Sequence, residues 1–295
     1  MGLHGMLIQI TLIGVIISAI VVAAAEAALA KPGCHDKCGD VEIPFPFGLT
    51  DDCYLDETFH ITCEDHVTAK TGGLTVTNIS VEVHEMRVLS YVARDCYNPT
   101  GEYVGGEEES SAWLRAGMFT ISKTKNKFTV IGCDTYAYLN GIQDGEKYSI
   151  GCMSLCNSLR NVVNGSCSGV GYCEVEFPDG LKYITTEVSS FDNHTNVSEF
   201  NPCGYAFVVE QGQFNFSSVY LHNFSKEWVP TVFDWAIGNE TCKEARDEMN
   251  FACKGNSECY DLQTRSGYHC KCKQGYQGNP YLHDGCQGII IHLLR

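Results

Sequence analysis

Seventeen cysteines in a chain of 295 residues constrain the fold more than any other feature. That density is below a pure disulfide knot and far above cytosolic usage, so the expectation is hydrophobic cores stapled by disulfides. The N-terminus sets the compartment. Leu7 to Ala25 is an apolar run interrupted only by Gln9, Thr11, Gly14 and Ser18, and Ala28-Leu29-Ala30 fits a signal-peptidase pattern. Residues 1–30 therefore read as a signal peptide with Lys31 as the mature start. The alternative is an uncleaved membrane anchor, although no Lys or Arg precedes the run to orient it. No later stretch approaches the roughly 18 apolar residues a span requires. Export makes the cysteines disulfide partners rather than metal ligands. Seven N-x-S/T sequons, at Asn78, Asn164, Asn193, Asn196, Asn215, Asn223 and Asn239, add a glycosylated surface.

Lys and Arg number 20 against 36 Asp and Glu, a net charge of -16, which argues against nucleic acid as a partner. Short runs with strand periodicity recur: Leu74 to Thr77, Ile79 to Val83, Arg87 to Val92, Met118 to Ile121, Phe128 to Ile131, Tyr205 to Val209, Phe214 to Phe216 and Val219 to Leu221. Gly72-Gly73, Asn98-Pro99 and Gly105-Gly106 punctuate them. Helical periodicity is weak and confined to Lys243 to Met249. The fold class is all-β and disulfide-rich, with β-rich blocks at 31–135 and 136–238, a small module at 239–287 and a tail at 288–295.

The module holds Cys242, Cys253, Cys259, Cys270, Cys272 and Cys286, a set that allows 15 pairings. A lone Cys-x-Cys followed by Gly275-Tyr276 and a closing cysteine resembles an EGF-like module. The resemblance implies bridges 242–259, 253–270 and 272–286. Calcium-binding relatives place acidic or amide oxygens before the first cysteine and an Asp or Asn after the third. Here Thr241 stands where such a residue is wanted, and Asp261 follows Cys259 suitably but is separated from Tyr268 by six residues rather than four, so the module reads as a spacer without calcium.

At the expected mature N-terminus stand Cys34, Cys38-Gly39 and Ile43-Pro44-Phe45-Pro46-Phe47-Gly48. This segment resembles the galacturonan-binding domain of plant wall-associated receptor kinases. Ile131-Gly132-Cys133-Asp134, Gly151-Cys152 with Cys156, Cys167 to Gly171, Asn201-Pro202-Cys203-Gly204, Asp234-Trp235 and Gly275 to Leu282 extend the resemblance over about residues 31 to 287. It implies extracellular binding of pectin or oligogalacturonide in the cell wall. Two departures stand out. Tyr172 precedes Cys173 where the family carries a Cys-Cys pair, and the sequence holds no Gly-rich ATP loop, HRD or DFG.

The Gly165-Ser166-Cys167-Ser168-Gly169 segment has the outline of a nucleophile elbow, but an exported cysteine reads as a disulfide partner. No catalytic residues, enzyme activity, cofactor or metal site are expected. A uronate ligand needs cations and aromatic faces, and the Pro-Phe run reads as an extended segment presenting aromatics to one side. Cation candidates are Lys31, Lys37, Lys70, Arg87, Arg94, Arg115, Lys123, Lys125 and Lys127, the last three alternating as on one strand face or flanking a solvated turn at Asn126. Calcium could instead bridge pectin to the acidic surface. The alternative function is a protein-interaction or decoy ectodomain with other extracellular proteins as partners.

Outside the module eleven cysteines remain: Cys34, Cys38, Cys53, Cys63, Cys96, Cys133, Cys152, Cys156, Cys167, Cys173 and Cys203. An odd number leaves at least one unbridged within the chain. Tyr172 is the expected cause, and the second block the expected location.

Overall fold

Alternating apolar and polar residues between glycine-rich turns give strands with one buried face, and most of the chain takes this form. The computed structural model describes residues 29–106, 109–143, 145–167, 169–263 and 265–289. The expected signal peptide lies outside these residues except for Leu29 and Ala30, as does the tail beyond Ile289.

Three sheets build the body. A six-stranded sheet runs Thr62–Glu64, Thr68–Thr71, Leu74–Ser80, Glu85–Tyr91, Trp228–Asp234, Thr120–Ile121. A four-stranded sheet follows the order Gly171–Val175, Asn126–Gly132, Cys203–Glu210, Ala93–Cys96. The third runs Glu146–Leu155, Asp134–Gln143, Tyr183–Ser190, Ser111–Arg115. All their strand pairings are antiparallel. Each sheet draws on both sides of residue 135, so the blocks 31–135 and 136–238 are interleaved rather than consecutive. Trp228–Asp234 lies between Glu85–Tyr91 and Thr120–Ile121, and the Cys96–Cys203 disulfide joins paired positions 107 residues apart.

The apolar faces meet in one large core, where Phe47, Phe59, Phe119 and Trp235 pack edge to face or tilted at centroid distances of 5.1 to 6.0 Å. A second core gathers Tyr172, Tyr205, Phe207, Phe216 and Phe224. Two expected strands are corrected here. Phe214 to Phe216 is irregular, and Val219–His222 is a short helix. A brief apolar run carries no reliable period, and a tertiary pocket decides its conformation.

The EGF-like module carries the hairpin Ser257–Asp261 with Tyr268–Cys272. Its bridges are Cys242–Cys259, Cys253–Cys270 and Cys272–Cys286. The helix Cys242–Ala245 begins with a capping box, in which the Glu244 carboxylate accepts from the Thr241 N–H at 2.8 Å. Asp261 accepts from the Cys242 N–H, so its carboxylate serves the helix start. The module is seated on the body. Ile237 and Tyr268 exchange backbone hydrogen bonds at 3.0 Å, Asn279 donates to the carbonyls of Leu29 and Phe45, and Arg265 donates to Thr120 Oγ1.

Candidate functional site

The signature segment is built into the interior. Cys34–Cys53 and Cys38–Cys63 anchor its flanks. Phe45 and Phe47 are both buried, with Phe47 5.1 Å from Phe59 and 5.4 Å from Trp235. The expectation that these rings face a ligand is therefore corrected: the side they present is the core. Alternating Pro limits the donors the backbone must satisfy there, and the rings supply packing area. Lys31 lies 4.7 Å from the centre of the Phe45 ring and donates to the Asp52 carbonyl at 3.1 Å.

Most cation candidates already have acidic partners. Lys37 pairs with Glu42 at 3.7 Å and Lys70 with Glu64 at 2.6 Å. Arg87 grips Glu210 with a fork of bonds at 2.7 to 3.0 Å and also faces Glu85. Arg94 forms a two-pronged pair with Glu109 at 2.9 Å, which raises the guanidinium's pKa and lowers that of the carboxyl. Lys125 reaches Glu85 at 3.0 Å and Lys127 reaches Glu176 at 2.6 Å. The expected common face of Lys123, Lys125 and Lys127 does not form. Lys123 and Lys125 lie in a turn, and only Lys127 enters the strand Asn126–Gly132. Nor is Asn126 a solvated turn residue. It is fully buried, donating to the Ser122 and Val232 carbonyls and accepting from the Val232 N–H.

Of the nine candidates, Lys31, Arg115 and Lys123 make no ion pair among the described residues. Arg115 stands apart from the rest, at the end of Ser111–Arg115, with its guanidinium 5.9 Å from the centre of the Tyr183 ring. It shares the open side of the third sheet with exposed Trp113, Tyr138, Ile142 and Tyr183. The sequence reading missed the hairpin that carries half of this surface, although Tyr136, Tyr138, Asn140 and Ile142 alternate with Ala137 and Leu139. Among the described residues, no group of three or more His, Cys, Asp or Glu side chains is arranged to hold a metal.

Residues 34–90 match the family model described as "Wall-associated receptor kinase galacturonan-binding". Similarity extends much further. Wall-associated receptor kinase 2 of Arabidopsis thaliana is 41% identical over 262 residues, covering 87% of this chain and 34% of the relative. Wall-associated receptor kinase 5 is 40% identical over 274 residues (89% and 35%), and wall-associated receptor kinase 1 is 35% identical over 292 (94% and 38%), both from the same plant. Over most of its length the chain is therefore similar to wall-associated receptor kinases. It spans about a third of the length of these relatives. No solved structure matches it, and no helix of the described residues is long and apolar enough to cross a membrane.

The odd number of cysteines outside the EGF-like module leaves one thiol unbridged. The bridges outside the EGF-like module are Cys34–Cys53, Cys38–Cys63, Cys96–Cys203, Cys133–Cys156 and Cys152–Cys173. Cys167 is the free thiol, exposed in the second block, which corrects its reading as a disulfide partner. Its sulfur accepts from the Glu174 N–H at 2.9 Å, and partial burial pushes the thiol pKa up. A thiol held protonated is a poor nucleophile. Tyr172 fills the neighbouring interior, stacked on Phe216 with centroids 4.9 Å apart. All seven sequon asparagines are exposed.

Proposed function

We propose that this chain is a secreted binding protein for de-esterified pectin in the plant cell wall, with no catalytic step of its own. The match of residues 34–90 to a galacturonan-binding family carries the reading. Similarity to wall-associated kinases over 87% of the chain supports it, and eight disulfides with seven exposed sequons suit an extracellular setting. A polygalacturonate carries a carboxylate on each sugar, so its recognition rests on cations that lack an internal acid partner. Methyl esterification removes that charge.

The test uses the whole secreted chain, because its three main sheets all cross the boundary at residue 135 and the EGF-like module is hydrogen-bonded to the body. Immobilised oligogalacturonides of low and high esterification are compared by biolayer interferometry, with calcium and with a chelator. Tighter binding of the de-esterified form is expected. Calcium dependence would assign part of the contact to a bridging ion. Equal binding of both forms would overturn the electrostatic basis, and retention of an extracellular protein without polysaccharide binding would favour an interaction ectodomain.

A further inference from the structure

The third sheet covers the core with one face and leaves the other open. Inward stand Ala112, Leu114, Ala137, Leu139, Ile184 and Val188, all buried. The strand register sets the outward residues into rows across the sheet. Ser149, Asn140, Thr185 and Trp113 form one row. Gly151, Tyr138, Glu187 and Ser111 form the next. On the other side, Lys147 pairs with Ile142 and Tyr183 with Arg115, so a third row in the same register carries a cation at each end. Three inter-strand spacings separate those ends, roughly 14 Å.

The chemistry of this surface is mixed in a particular way. Trp113 is 65% exposed, Tyr138 46% and Tyr183 39%, and hydroxyl or amide groups of Ser149, Asn140, Thr185 and Ser111 separate them. A side chain at Gly151 would meet the Tyr138 ring at 3.1 Å, so glycine leaves that ring room beside the strand. A cleft of about 450 Å³ opens between Asn140, Ile142, Lys147, Ser149, Tyr183 and Thr185, within the range of ligand sites. Arg115 and Lys147 make no ion pair among the described residues, in a protein where most basic groups of the first block do. Glu187 is the one acid in these rows, and it accepts from Asn140 at 3.3 Å.

Glycosylation supplies an independent observation. None of the seven sequons lies on the four strands of this sheet. The nearest in sequence, Asn193, follows the end of Tyr183–Ser190 by three residues. The remaining sequons lie on other strands and loops, so no sequon is anchored on this face.

We propose that the open face of the third sheet is where an acidic polysaccharide lies, with Trp113, Tyr138 and Tyr183 against the sugar rings and Arg115 and Lys147 on the uronate carboxylates. This rests on the pectin-binding reading and adds a location outside residues 34–90. Aromatic rings offer broad, rigid contact at low entropic cost, and a guanidinium matches a carboxylate with two parallel bonds. Aromatics on three strands with hydroxyl and amide groups between them, flanked by cations without ion pairs among the described residues, suit a chain of hydroxylated acids.

The experiment compares the whole chain with Trp113→Ala, Arg115→Gln and Lys147→Gln, all exposed positions. Lys37→Gln is the control. Probes are de-esterified oligogalacturonide, its methyl ester, a different uronate oligomer and a neutral oligosaccharide. Trp113→Ala should weaken both galacturonide forms by a similar factor. Arg115→Gln should weaken the de-esterified form about tenfold or more, as expected for a charge-assisted bond, and leave the ester little changed. Lys147→Gln should do the same to a lesser degree, and Lys37→Gln should match wild type.

If all three variants bind like wild type, the site is overturned and the pectin reading survives. If wild type ignores galacturonides but binds the other uronate through Trp113, the pectin reading falls and the face stands. Wild-type binding to no acidic oligomer overturns both, and concentration-dependent self-association abolished by Trp113→Ala overturns the site alone.

Discussion

Two histidines stack where the EGF-like module meets the body, and they make the stability of this contact depend on pH. His84 and His269 have ring centroids 3.8 Å apart and an interplanar angle of 7°. His84 Nε2 lies 3.0 Å from the Tyr281 hydroxyl and 3.2 Å from the Cys270 carbonyl, and His269 donates to the Trp235 carbonyl at 2.6 Å. Burial first, then the facing His269 and nearby Lys271, lower the His84 pKa to about 3. Burial, with Arg265 and Lys271, lowers that of His269 to about 4. Both folded values lie below the unfolded one, so the unfolded chain binds more protons. The stability contribution is complete above about pH 6.5 and is lost as pH falls toward the folded values. At about pH 5 each ring costs about 2 kcal/mol relative to neutral pH, a figure set mainly by the unfolded value, so the pair costs about 4 kcal/mol. Asp95 opposes this. Its carboxyl, raised to about 6 by burial, favours the folded state by about 1 kcal/mol over the same interval. His194, lowered by burial, acts in the same direction as the pair. Replacing both stacked rings by Gln keeps an amide donor at each position and removes the titration. Urea unfolding followed by tryptophan fluorescence, with disulfides intact, reads the difference, and Trp235 sits 4.9 Å from His84 as a local reporter. The double variant should lose about 4 kcal/mol less than wild type between neutral pH and about pH 5. An unchanged pH dependence would refute the reasoning.

Thiol titration of denatured, unreduced monomer should find one free group, falling to none in Cys167→Ser. Tyr172→Cys should also remove it by forming a new bridge, and a persistent thiol would refute that geometry. Asn126→Ala should cost about 2 kcal/mol, since it leaves the buried Val232 N–H without its acceptor, while the Ser122 and Val232 carbonyls keep backbone donors; a loss below about 0.5 kcal/mol in urea unfolding would contradict the assignment. N-terminal sequencing of the secreted chain should start at or before Leu29, whose carbonyl accepts from the Phe45 N–H and from Asn279, both at 2.9 Å. A start at Lys31 would show that these contacts are dispensable.

The β-rich, disulfide-rich class was legible because its signals are local: alternation within a strand, glycine at turns, cysteine spacing within the last module. The resemblance at Cys34 to Gly48 was equally local. What escaped was set by distance along the chain. Arg87 is neutralised by Glu210, 123 residues away, and Lys127 by Glu176, 49 residues away; nothing beside either cation announces its partner. The interleaving of the blocks rests on pairings such as Glu85 with Asp234, which a linear division at residue 135 cannot represent. The aromatics misled for a different reason. Phe45 and Phe47 looked available because Pro flanks them, yet they are core. Tyr138 and Trp113 alternate with small or aliphatic neighbours that face inward, and periodicity alone does not say which of two apolar faces meets water.

In a chain this acidic, the proposed uronate binding depends on how cations are allotted, and this fixes a measurable property of the proposed site. Six of the nine cation candidates are held by Glu42, Glu64, Glu85, Glu109, Glu176 and Glu210. Opening such pairs for a ligand would exchange one carboxylate for another, with little net gain. A ligand on the third sheet instead meets Arg115 and Lys147, with the rest of its contact made to rings and hydroxyls. Exposed charge pairs are screened over about 3 Å at roughly 1 M salt, against about 10 Å at 0.1 M, whereas ring contacts are not. Binding of de-esterified oligogalacturonide should therefore fall with salt and level off above zero, at the affinity of the methyl ester. In Arg115→Gln the same titration should start closer to that plateau and keep only the shallower salt dependence of Lys147, and the double variant Arg115→Gln/Lys147→Gln should stay flat. Complete loss of wild-type binding at moderate salt would mean that many cations share the contact, which a face bearing two cannot supply.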